Sequence, residues 1–240
     1  MKKLLKRLLS VLHISVTRNQ RYDAFTQKII QRSLKPDSNC IDIGCHKGEI
    51  LDLMIKGAPQ GKKYGFEPIP ELYKYLTSKY QGDSTVAISP VALYDKTGTT
   101  SFQHVLTAPA YSGIKKRKYD GKHVEIEQIS VETDLLDHAI PEDMCIDLIK
   151  IDVEGAEFRV MKGGVGTLKR CKPVIIFEFG LGAADFYDSK PNELHAFLAR
   201  ECGMKISTLK GYLDQSQELT EATFCSMFKT GSEYYFVGHA

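Results

Sequence analysis

The chain has 240 residues, of which 42% are hydrophobic and 26% are charged, the composition of an ordinary globular protein with a sizeable core. Its formal net charge of only +2 argues against a dedicated nucleic-acid-binding protein. The length is compatible with one α/β domain or two small ones.

The first fourteen residues, MKKLLKRLLSVLHI, place apolar and basic residues on opposite sides of a helix. Their longest apolar run is far too short for a signal peptide or a membrane span. Such a helix either packs on the domain with its basic side in water or rests on anionic lipid at the inner membrane surface. A second helix is predicted for residues 21–34, which end just before Pro36. We treat residues 1–35 as a helical extension and residues 36–240 as the main domain.

From residue 36 onward, short apolar strands alternate with amphipathic helices. The predicted strands of this part cover residues 40–43, 63–67, 85–95, 146–151, 173–179 and 233–238. The first predicted helix ends at Gly57. The other predicted helices cover residues 70–80, 135–140, about 156–162 and 191–203. Residues 98–105 and 123–134 have the alternating faces of antiparallel strands. This order predicts an α/β fold with a mostly parallel sheet, helices on both faces and an antiparallel insertion at about residues 98–131.

The six cysteines are scattered and include no Cys-x-x-Cys pair, which favours free thiols in the reducing cytoplasm. Cys40, Cys45 and His46 lie close in sequence, but structural zinc sites usually take their ligands from two short pairs. We therefore expect a cytoplasmic protein without a metal at this cluster.

Four acidic residues stand at or beside the ends of predicted parallel strands: Asp42, Glu67, Asp152 and Glu178. The carboxyl ends of parallel strands meet at one edge of a sheet, and ligands bind there. We therefore expect the four carboxylates to converge on a single cleft.

The stretch IDIGCHKGE, residues 41–49, has the pattern of a strand, a tight turn and the start of a helix. Gly44 and Gly48 flank the turn, and glycine lets a ligand approach the backbone closely. Glu67, at the end of the next strand, is placed to accept both hydroxyls of a ribose. The alternative is an ordinary turn with incidental acids, since acids are common where helices begin.

The turn does not match the dinucleotide fingerprint Gly-x-Gly-x-x-Gly, because His46 and Glu49 occupy two of the glycine positions. A pyrophosphate needs bare backbone N–H groups and disfavours nearby carboxylates. A ligand with ribose and adenine but no phosphate fits better. S-adenosylmethionine carries a positive sulfonium and ammonium, which suit an acidic cleft.

The chain resembles the FkbM family of S-adenosylmethionine-dependent methyltransferases from about residue 38 to residue 180. The stretches that carry the resemblance match in order and spacing: IDIGCHKGE, GFEP, VALYDKTGTTSF, YSGI, LIKIDVEGAE with the following VMKGG, and VIIFEF. The turn has Cys45 and His46 where the family usually has alanine and asparagine. The resemblance implies a Rossmann-like class I methyltransferase fold, bound S-adenosylmethionine and O-methylation, often of a sugar or a polyketide-type small molecule.

The resemblance also implies site residues. On the cofactor side, Glu67 would hold the ribose and Leu93 would lie near the adenine. The full set of implied cofactor residues is Asp42, Gly44, His46, Gly48, Glu67, Leu93 and Ser112. On the side of methyl transfer they are Asp152 and Glu154.

A hydroxyl acceptor is a poor nucleophile near neutral pH, so we expect a base within hydrogen-bond reach. Asp152 and Glu154 are two residues apart, which in extended backbone puts both side chains on one side. Their repulsion would raise the proton affinity of one, so we predict that one of them orients or deprotonates the acceptor. Capping of the next helix by these acids and Glu157 is the alternative, and a divalent metal on Asp152, Glu154 and Glu178 is a further one.

Three further basic features remain: Lys150, the KKRK run and three histidines. Lys150 shares the strand face of Asp152, which predicts an ion pair with a neighbouring acid. The run KKRK, residues 115–118, lies beside the expected mouth of the site and is either a solvated loop or a contact for an anionic substrate. Three histidines are alternative bases: His46, His104 and His195.

The leading functional prediction is an S-adenosylmethionine-dependent O-methyltransferase that acts on a hydroxyl of a sugar, a glycan or a related small-molecule intermediate. Two alternatives stay open: an NAD-dependent oxidoreductase, and a non-catalytic membrane-docked scaffold with a methyltransferase fold. Fold and cofactor do not specify the acceptor.

Overall fold

The computed structural model describes residues 17–119 and 124–240, so the predicted basic helix of residues 1–14 lies outside the described residues. The helices are α1 (Arg18–Ser33), α2 (Glu49–Gly57), α3 (Pro70–Lys79), α4 (Leu136–Ala139), α5 (Glu157–Gly163), α6 (Val165–Cys171), α7 (Pro191–Ala196), α8 (Leu209–Leu213) and α9 (Glu221–Thr230). The strands are β1 (Cys40–Ile43), β2 (Lys63–Phe66), β3 (Val86–Ser89), β4 (Ala92–Leu93), β5 (Gly98–Val105), β6 (Ile126–Asp134), β7 (Leu148–Ile151), β8 (Val174–Glu178), β9 (Lys205–Thr208) and β10 (Tyr235–His239).

Seven strands of the described chain form one sheet in the order β3-β2-β1-β7-β8-β10-β9. Neighbouring strands from β3 to β8 pair in parallel, whereas β10 runs antiparallel to both β8 and β9. The predicted mostly parallel sheet is thus confirmed. The chain builds outward from β1 on one side and from β7 on the other, so the switch point of the sheet lies between these two strands.

Apolar side chains cover both faces of the sheet. Successive residues of a strand point to opposite faces, and in β1 Cys40 joins one buried cluster while Ile41 joins the other. Ile29 and Ile30 of α1 pack into the Cys40 cluster with residues of α2 and α3. Residues of α5, α6 and α9 pack into the Ile41 cluster. The prediction of helices on both faces is confirmed.

Strands β4, β5 and β6 form a second, three-stranded sheet in the order β4-β6-β5. β5 and β6 pair antiparallel from Gly98 opposite Thr133 to Val105 opposite Ile126, which is the predicted antiparallel insertion. The extended run of residues 85–95 divides into β3 and β4 at Pro90, which has no N–H to donate to a sheet ladder.

The C-terminal part contains elements that the sequence pattern did not predict, namely α6, β9, α8 and α9. Helix α9 begins after Thr220, whose hydroxyl accepts the N–H of Thr223, and it ends at Gly231 with a φ of 62°. The helix predicted for residues 191–203 is α7 followed by a π-helical turn, Phe197–Glu201. These elements place β9 at the edge of the sheet and bring β10 next to β8.

Candidate functional site

The turn after β1 brings Gly44 against the end of β7. The N–H groups of Gly44 and Cys45 donate to the carbonyl oxygen of Phe66, which ties the turn to β2. Gly44 has a φ of 84°, and a Cβ on it would lie 2.0 Å from the carbonyl oxygen of Asp152. Glycine therefore allows the turns after β1 and β7 to approach each other closely.

Gly48 closes the same turn directly before α2, with a φ of 78°. A Cβ there would lie 2.2 Å from the hydroxyl of Tyr80. That hydroxyl lies 3.0 Å from the carbonyl oxygen of Gly48 and 2.9 Å from Asp52 Oδ1, and these two acceptors share its one hydrogen. Contacts inside the protein therefore require glycine at position 48.

Glu67 follows β2 and is held by the backbone on both of its oxygens. The N–H of His46 donates to Oε2 at 2.8 Å, and the N–H of Ile69 donates to Oε1 at 3.0 Å. Glu67 is only 4% exposed, and burial raises its pKa to about 7 in spite of these hydrogen bonds. Each oxygen keeps a second lone pair, so the oriented carboxylate can still accept hydrogen bonds from a ligand.

Asp42 lies opposite Lys150 in the pairing of β1 with β7. It is 2% exposed, and its Oδ2 has no hydrogen-bond partner among the described residues. Burial raises the pKa of Asp42 to about 7, although the Lys150 ammonium acts in the opposite direction. An unpartnered buried carboxylate oxygen is costly for the free protein and would be stabilised by a cationic ligand.

Glu157 organises the turn after β7. Its Oε1 accepts the N–H groups of Val153 and Gly155, both at 3.1 Å, directly where α5 begins. Burial, and then the charge of Glu178, raises the pKa of Glu157 to about 8. Glu157 is the acid in the first turn of α5, but its hydrogen bonds hold the preceding turn, and among the described residues no side chain caps the N-terminus of α5.

Asp152 has two strong partners. Its Oδ2 accepts the Lys150 ammonium at 2.8 Å and the Tyr235 hydroxyl at 2.7 Å, so the predicted ion pair of Lys150 forms. Burial on its own would raise the pKa of Asp152, but the charge and hydrogen bond of Lys150, with the hydrogen bond from Tyr235, lower it. The expected gain in proton affinity through repulsion by Glu154 therefore does not apply to Asp152.

Glu154 forms an ion pair with Arg117, and both side chains are largely buried, with 11% and 14% exposed. The Arg117 guanidinium also lies over the ring of Tyr111, 5.2 Å from its centroid. In the KKRK run, the three lysines are exposed and Arg117 is not. The run thus lies at the site, as expected, and its arginine neutralises one of the two candidate catalytic acids.

One cleft of about 580 Å³ brings together most of the predicted cofactor residues with the two candidate catalytic acids. Its polar lining is Gly44, His46, Glu67, Ser112, Asp152 and Glu154, and its apolar lining includes Ile43, Phe66, Ile69, Val91, Leu93 and Phe102. We call it the cofactor cleft. The hydroxyl of Ser112 accepts the N–H of Val105 at 2.9 Å, which holds the insertion loop against β5.

The two remaining predicted cofactor residues lie beside this cleft. Asp42 lines an adjoining cavity of about 610 Å³ that also reaches Lys150 and Asp152. Gly48 is in the lining of neither cavity, because it packs behind the turn against Tyr80.

A second cleft, of about 1030 Å³, meets the cofactor cleft at Glu154, which lines both. The start of α1, the insertion loop, the segment after β8 and the start of β10 form its walls: Asn19, Tyr22, Asp23, Tyr111, Arg117, Lys118, Glu154, Glu178, Gly180, Leu181, Gly231, Tyr234 and Tyr235. We call it the outer cleft.

Sequence reasoning missed Tyr235 as a site residue, and it placed Arg117 near the site only as part of the KKRK run, without its ion pair with Glu154. Each reaches its acid from a distant part of the chain, since Tyr235 is 83 positions from Asp152. The only available signal for Tyr235 was its place near the start of a predicted strand, where it faces Glu178 across the β8–β10 pairing.

A model of the methyltransferase FkbM domain matches residues 42–206, more than half of the chain. The chain belongs to the FkbM methyltransferase family. The 2-O-methyltransferase NoeI of Sinorhizobium fredii (strain NBRC 101917 / NGR234) is 28% identical in an alignment of 168 positions that covers 61% of this chain and 65% of NoeI. Neither of these matches is an oxidoreductase.

Among solved structures, the methyltransferase FkbM from Methylobacillus flagellatus KT aligns with a TM-score of 0.51 at 13% identity, over 89% of this chain and 50% of that chain. This likeness confirms the predicted class I methyltransferase fold. The chain spans 65% of the length of NoeI and half the length of the Methylobacillus protein. Family and fold together imply a methyl donor of the S-adenosylmethionine type.

Within residues 17–119 and 124–240, no helix combines the length and apolar character of a bilayer-spanning segment. The same residues include no group of three or more His, Cys, Asp or Glu side chains that could hold a metal ion.

Proposed function

We propose that this protein transfers the methyl group of S-adenosylmethionine to a hydroxyl of a sugar, a glycan or a related small-molecule intermediate. The observation that carries the proposal is Glu67, a buried carboxylate oriented by two backbone N–H groups at the carboxyl end of β2. It lies in a cleft beside the switch point of the sheet, where α/β folds bind nucleotide-like ligands.

The residues present fit S-adenosylmethionine. The apolar wall of the cofactor cleft, with Phe66 and Leu93, suits an adenine, and the free lone pairs of Glu67 suit a ribose. The unpartnered Oδ2 of Asp42 and the acids Asp152 and Glu154 suit a ligand with a positive sulfonium and ammonium. When bound, this cofactor supplies an electrophilic methyl group.

The protein contributes mainly position and charge. Precise placement of two reactants supplies roughly 7–11 kcal/mol in favourable cases. Lys150 and Tyr235 fix Asp152, and Arg117 fixes Glu154, so both acids are held rigidly at the junction of the two clefts. We considered two roles for Asp152 and Glu154: orienting the acceptor hydroxyl and deprotonating it. Because both acids are held in ion pairs, the orienting role is favoured.

Two observations support a hydroxyl acceptor. NoeI is named a 2-O-methyltransferase, and 28% of aligned residues are identical. The outer cleft combines tyrosine rings with amide, hydroxyl and carboxylate groups, a lining that suits polyhydroxylated molecules.

We also propose that residues 1–14 contact anionic lipid peripherally. The segment carries four Lys or Arg residues and seven Leu, Val or Ile residues at helical spacing. Flotation of the full chain with vesicles that contain phosphatidylglycerol, but not with pure phosphatidylcholine vesicles, would support this contact. Equal flotation of a variant without residues 2–14 would contradict it.

Methyl-labelled S-adenosylmethionine and a panel of methyl glycosides, oligosaccharides and lipid-linked sugars test the proposed function. We expect label in at least one acceptor, lost when Glu67 is replaced by glutamine. Failure of the wild-type protein to bind S-adenosylhomocysteine in calorimetry would overturn the proposal.

A further inference from the structure

We propose that the outer cleft is the acceptor site, that it takes an uncharged glycosyl unit, and that Glu178 accepts the proton of the acceptor hydroxyl. The inference rests on the proposed function and names the acceptor side of the same reaction. It follows from the position, the lining and the ion pairing of the acids where the two clefts meet.

The outer cleft is placed to present a hydroxyl to the cofactor cleft. The two clefts share Glu154, and the outer cleft continues from there past Glu178 to Tyr22 of α1. The space of about 1030 Å³ includes open solvent at its mouth; about 330 Å³ can hold the centres of water-sized molecules, which is at the lower end of the range for small-molecule sites and suits a single glycosyl unit. A molecule bound there meets Glu154 at the junction, with Glu178 on the side of the outer cleft and Asp152 on the side of the cofactor cleft.

The lining indicates the class of acceptor. Four tyrosines and an asparagine contribute flat rings, hydroxyls and an amide: Asn19, Tyr22, Tyr111, Tyr234 and Tyr235. A pyranose likewise combines an apolar C–H face, which a tyrosine ring can contact, with hydroxyl groups. The hydroxyls of Tyr22, Tyr234 and Tyr235 already donate to Glu233, Asn19 and Asp152, so towards a sugar they act as acceptors.

The charges of the outer cleft disfavour an anionic acceptor. Three carboxylates line it, from Asp23, Glu154 and Glu178, against two cations from Arg117 and Lys118. Arg117 is already paired with Glu154, so it has little positive charge left for a substrate phosphate. The lining therefore argues against the interpretation of the KKRK run as a contact for an anionic substrate.

Glu178 differs from the other two acids of the junction in its partners. Asp152 is paired with Lys150, and Glu154 is paired with Arg117. Among the described residues, no Lys, Arg or His forms an ion pair with Glu178. It ends β8 beside the end of β7, because Phe177 pairs with Ile151, and it lines the outer cleft.

The surroundings of Glu178 support a role in proton transfer. The titratable and charged groups around it come from α1, the insertion loop, β7, α5 and β10: Asp23, Arg117, Lys150, Asp152, Glu157, Tyr234 and Tyr235. Burial, followed by the charge of Asp152, raises the pKa of Glu178 to about 7, while the charges of Arg117 and Lys150 act in the opposite direction. A base with a pKa near the working pH is efficient.

The proposed step balances as follows. The acceptor oxygen forms a bond to the methyl carbon while the carbon–sulfur bond breaks and its electron pair stays on sulfur. The acceptor O–H bond breaks, and its proton goes to the Glu178 carboxylate. Release of this proton to solvent restores the base, and no oxidant or metal is needed.

The test compares the full-length wild type with Glu178→Gln, Glu178→Asp and the control Glu132→Gln, which makes the same change at an exposed position of β6. Three quantities are measured: the Kd for S-adenosylhomocysteine, saturation-transfer NMR of methyl glycosides on the S-adenosylhomocysteine-loaded protein, and methyl transfer to the same glycosides from pH 5.5 to 9.

We expect Glu178→Gln to lower kcat about 100-fold and to lose the rise of kcat with pH through about 7, with the Kd for S-adenosylhomocysteine within threefold of wild type. Glu178→Asp should keep more of the wild-type kcat than Glu178→Gln does, and Glu132→Gln should have the kcat of the wild type. A Glu178→Gln variant with kcat within threefold of wild type and the same pH profile overturns the role of Glu178. Absence of both glycoside binding and transfer in a wild type that binds S-adenosylhomocysteine overturns the acceptor site, whereas absence of that binding overturns the proposed function itself.

Discussion

The acids of the site share one edge of the sheet but differ in their partners. Asp152 and Glu154 carry ion pairs, Glu67 is held by backbone N–H groups, and Asp42 has an oxygen with no partner. Their position at one edge was predictable from the sequence, because each lies at or near the end of a short apolar strand. The expected single cleft was not found: Glu67 and Asp152 line the cofactor cleft, Asp42 lines the adjoining cavity, and Glu178 lines the outer cleft. The protonation of these acids was not predictable, because it depends on cations and hydroxyls that the fold brings from elsewhere, such as Arg117 for Glu154.

Glu67 should make the binding of S-adenosylhomocysteine depend on pH. Its pKa of about 7 in the free protein means that it is mostly protonated at pH 6, and an ionised carboxylate accepts hydrogen bonds from a diol better. We expect binding to be roughly tenfold weaker at pH 6 than at pH 8, as measured by titration calorimetry.

Glu67→Gln should bind S-adenosylhomocysteine about 2 kcal/mol more weakly at pH 8, the range for a hydrogen bond to a charged group, and should show less pH dependence. Glu71→Gln is the matched control, because Glu71 is an exposed glutamate in the first turn of α3. Equal pH dependence in Glu67→Gln and wild type would rule out this role of Glu67.

At the scale of elements, two turns build the cofactor cleft. The turn after β1 meets the turn after β7 at Gly44 and Asp152, and the close packing of Tyr80 behind Gly48 supports it. Strand and helix periodicity predicted both turns and the strands that lead into them.

Gly48→Ala should destabilise the protein by about 2–4 kcal/mol, since the new Cβ adds steric overlap with Tyr80 to the strain of a positive φ. Gly82→Ala is the matched control: Gly82 has a φ of 92° but nothing within 4 Å of its Cβ position, so only the strain applies, about 1–2 kcal/mol. The free energy of unfolding in urea measures both.

Adding Tyr80→Phe to Gly48→Ala should recover part of the loss, because it removes the hydroxyl that the new Cβ meets. Equal destabilisation by Gly48→Ala and Gly82→Ala would show that the contact with Tyr80 is unimportant.

The elements between residues 203 and 233, namely β9, α8 and α9, were missing from the prediction, whereas the last strand was predicted. Strand β9 has four residues and α8 has five, which is too short for a reliable pattern. Helix α9 had capping signals in Thr220 and Gly231 and helical apolar spacing at Phe224, Met227 and Phe228, so here the sequence held a signal that the prediction did not use. The outer cleft was not predictable either, because its walls come from α1, β8, β10 and the insertion loop.

At the scale of the whole molecule, the site concentrates buried carboxyl groups whose pKa values are raised, with burial as the first cause. They are Asp42, Glu67 and Glu178 at about 7 and Glu157 at about 8. Each binds its proton more tightly in the folded than in the unfolded protein. Its contribution to stability is therefore complete below about pH 4, where the unfolded groups are also protonated, and is lost as the pH rises through 7 to 8.

The ligand-free protein should therefore have a higher Tm at pH 5.5 than at pH 8, by roughly 5–10 °C. Burial lowers the pKa of His239, so its contribution to stability is lost as the pH falls, opposite to the trend of the acids. It is a single group, whereas four carboxyl groups act in the other direction. Thermal unfolding followed by circular dichroism measures the difference, and Asp42→Asn should reduce it. A Tm that rises from pH 5.5 to pH 8 would contradict the raised pKa values.

A crystal structure of the complex with S-adenosylhomocysteine at pH 8 tests the central claim most directly. The account predicts both ribose hydroxyls within hydrogen-bond distance of the Glu67 carboxylate, with the adenine against the wall that contains Leu93. A nucleoside bound outside the cofactor cleft, or bound within it without contact to Glu67, would contradict it.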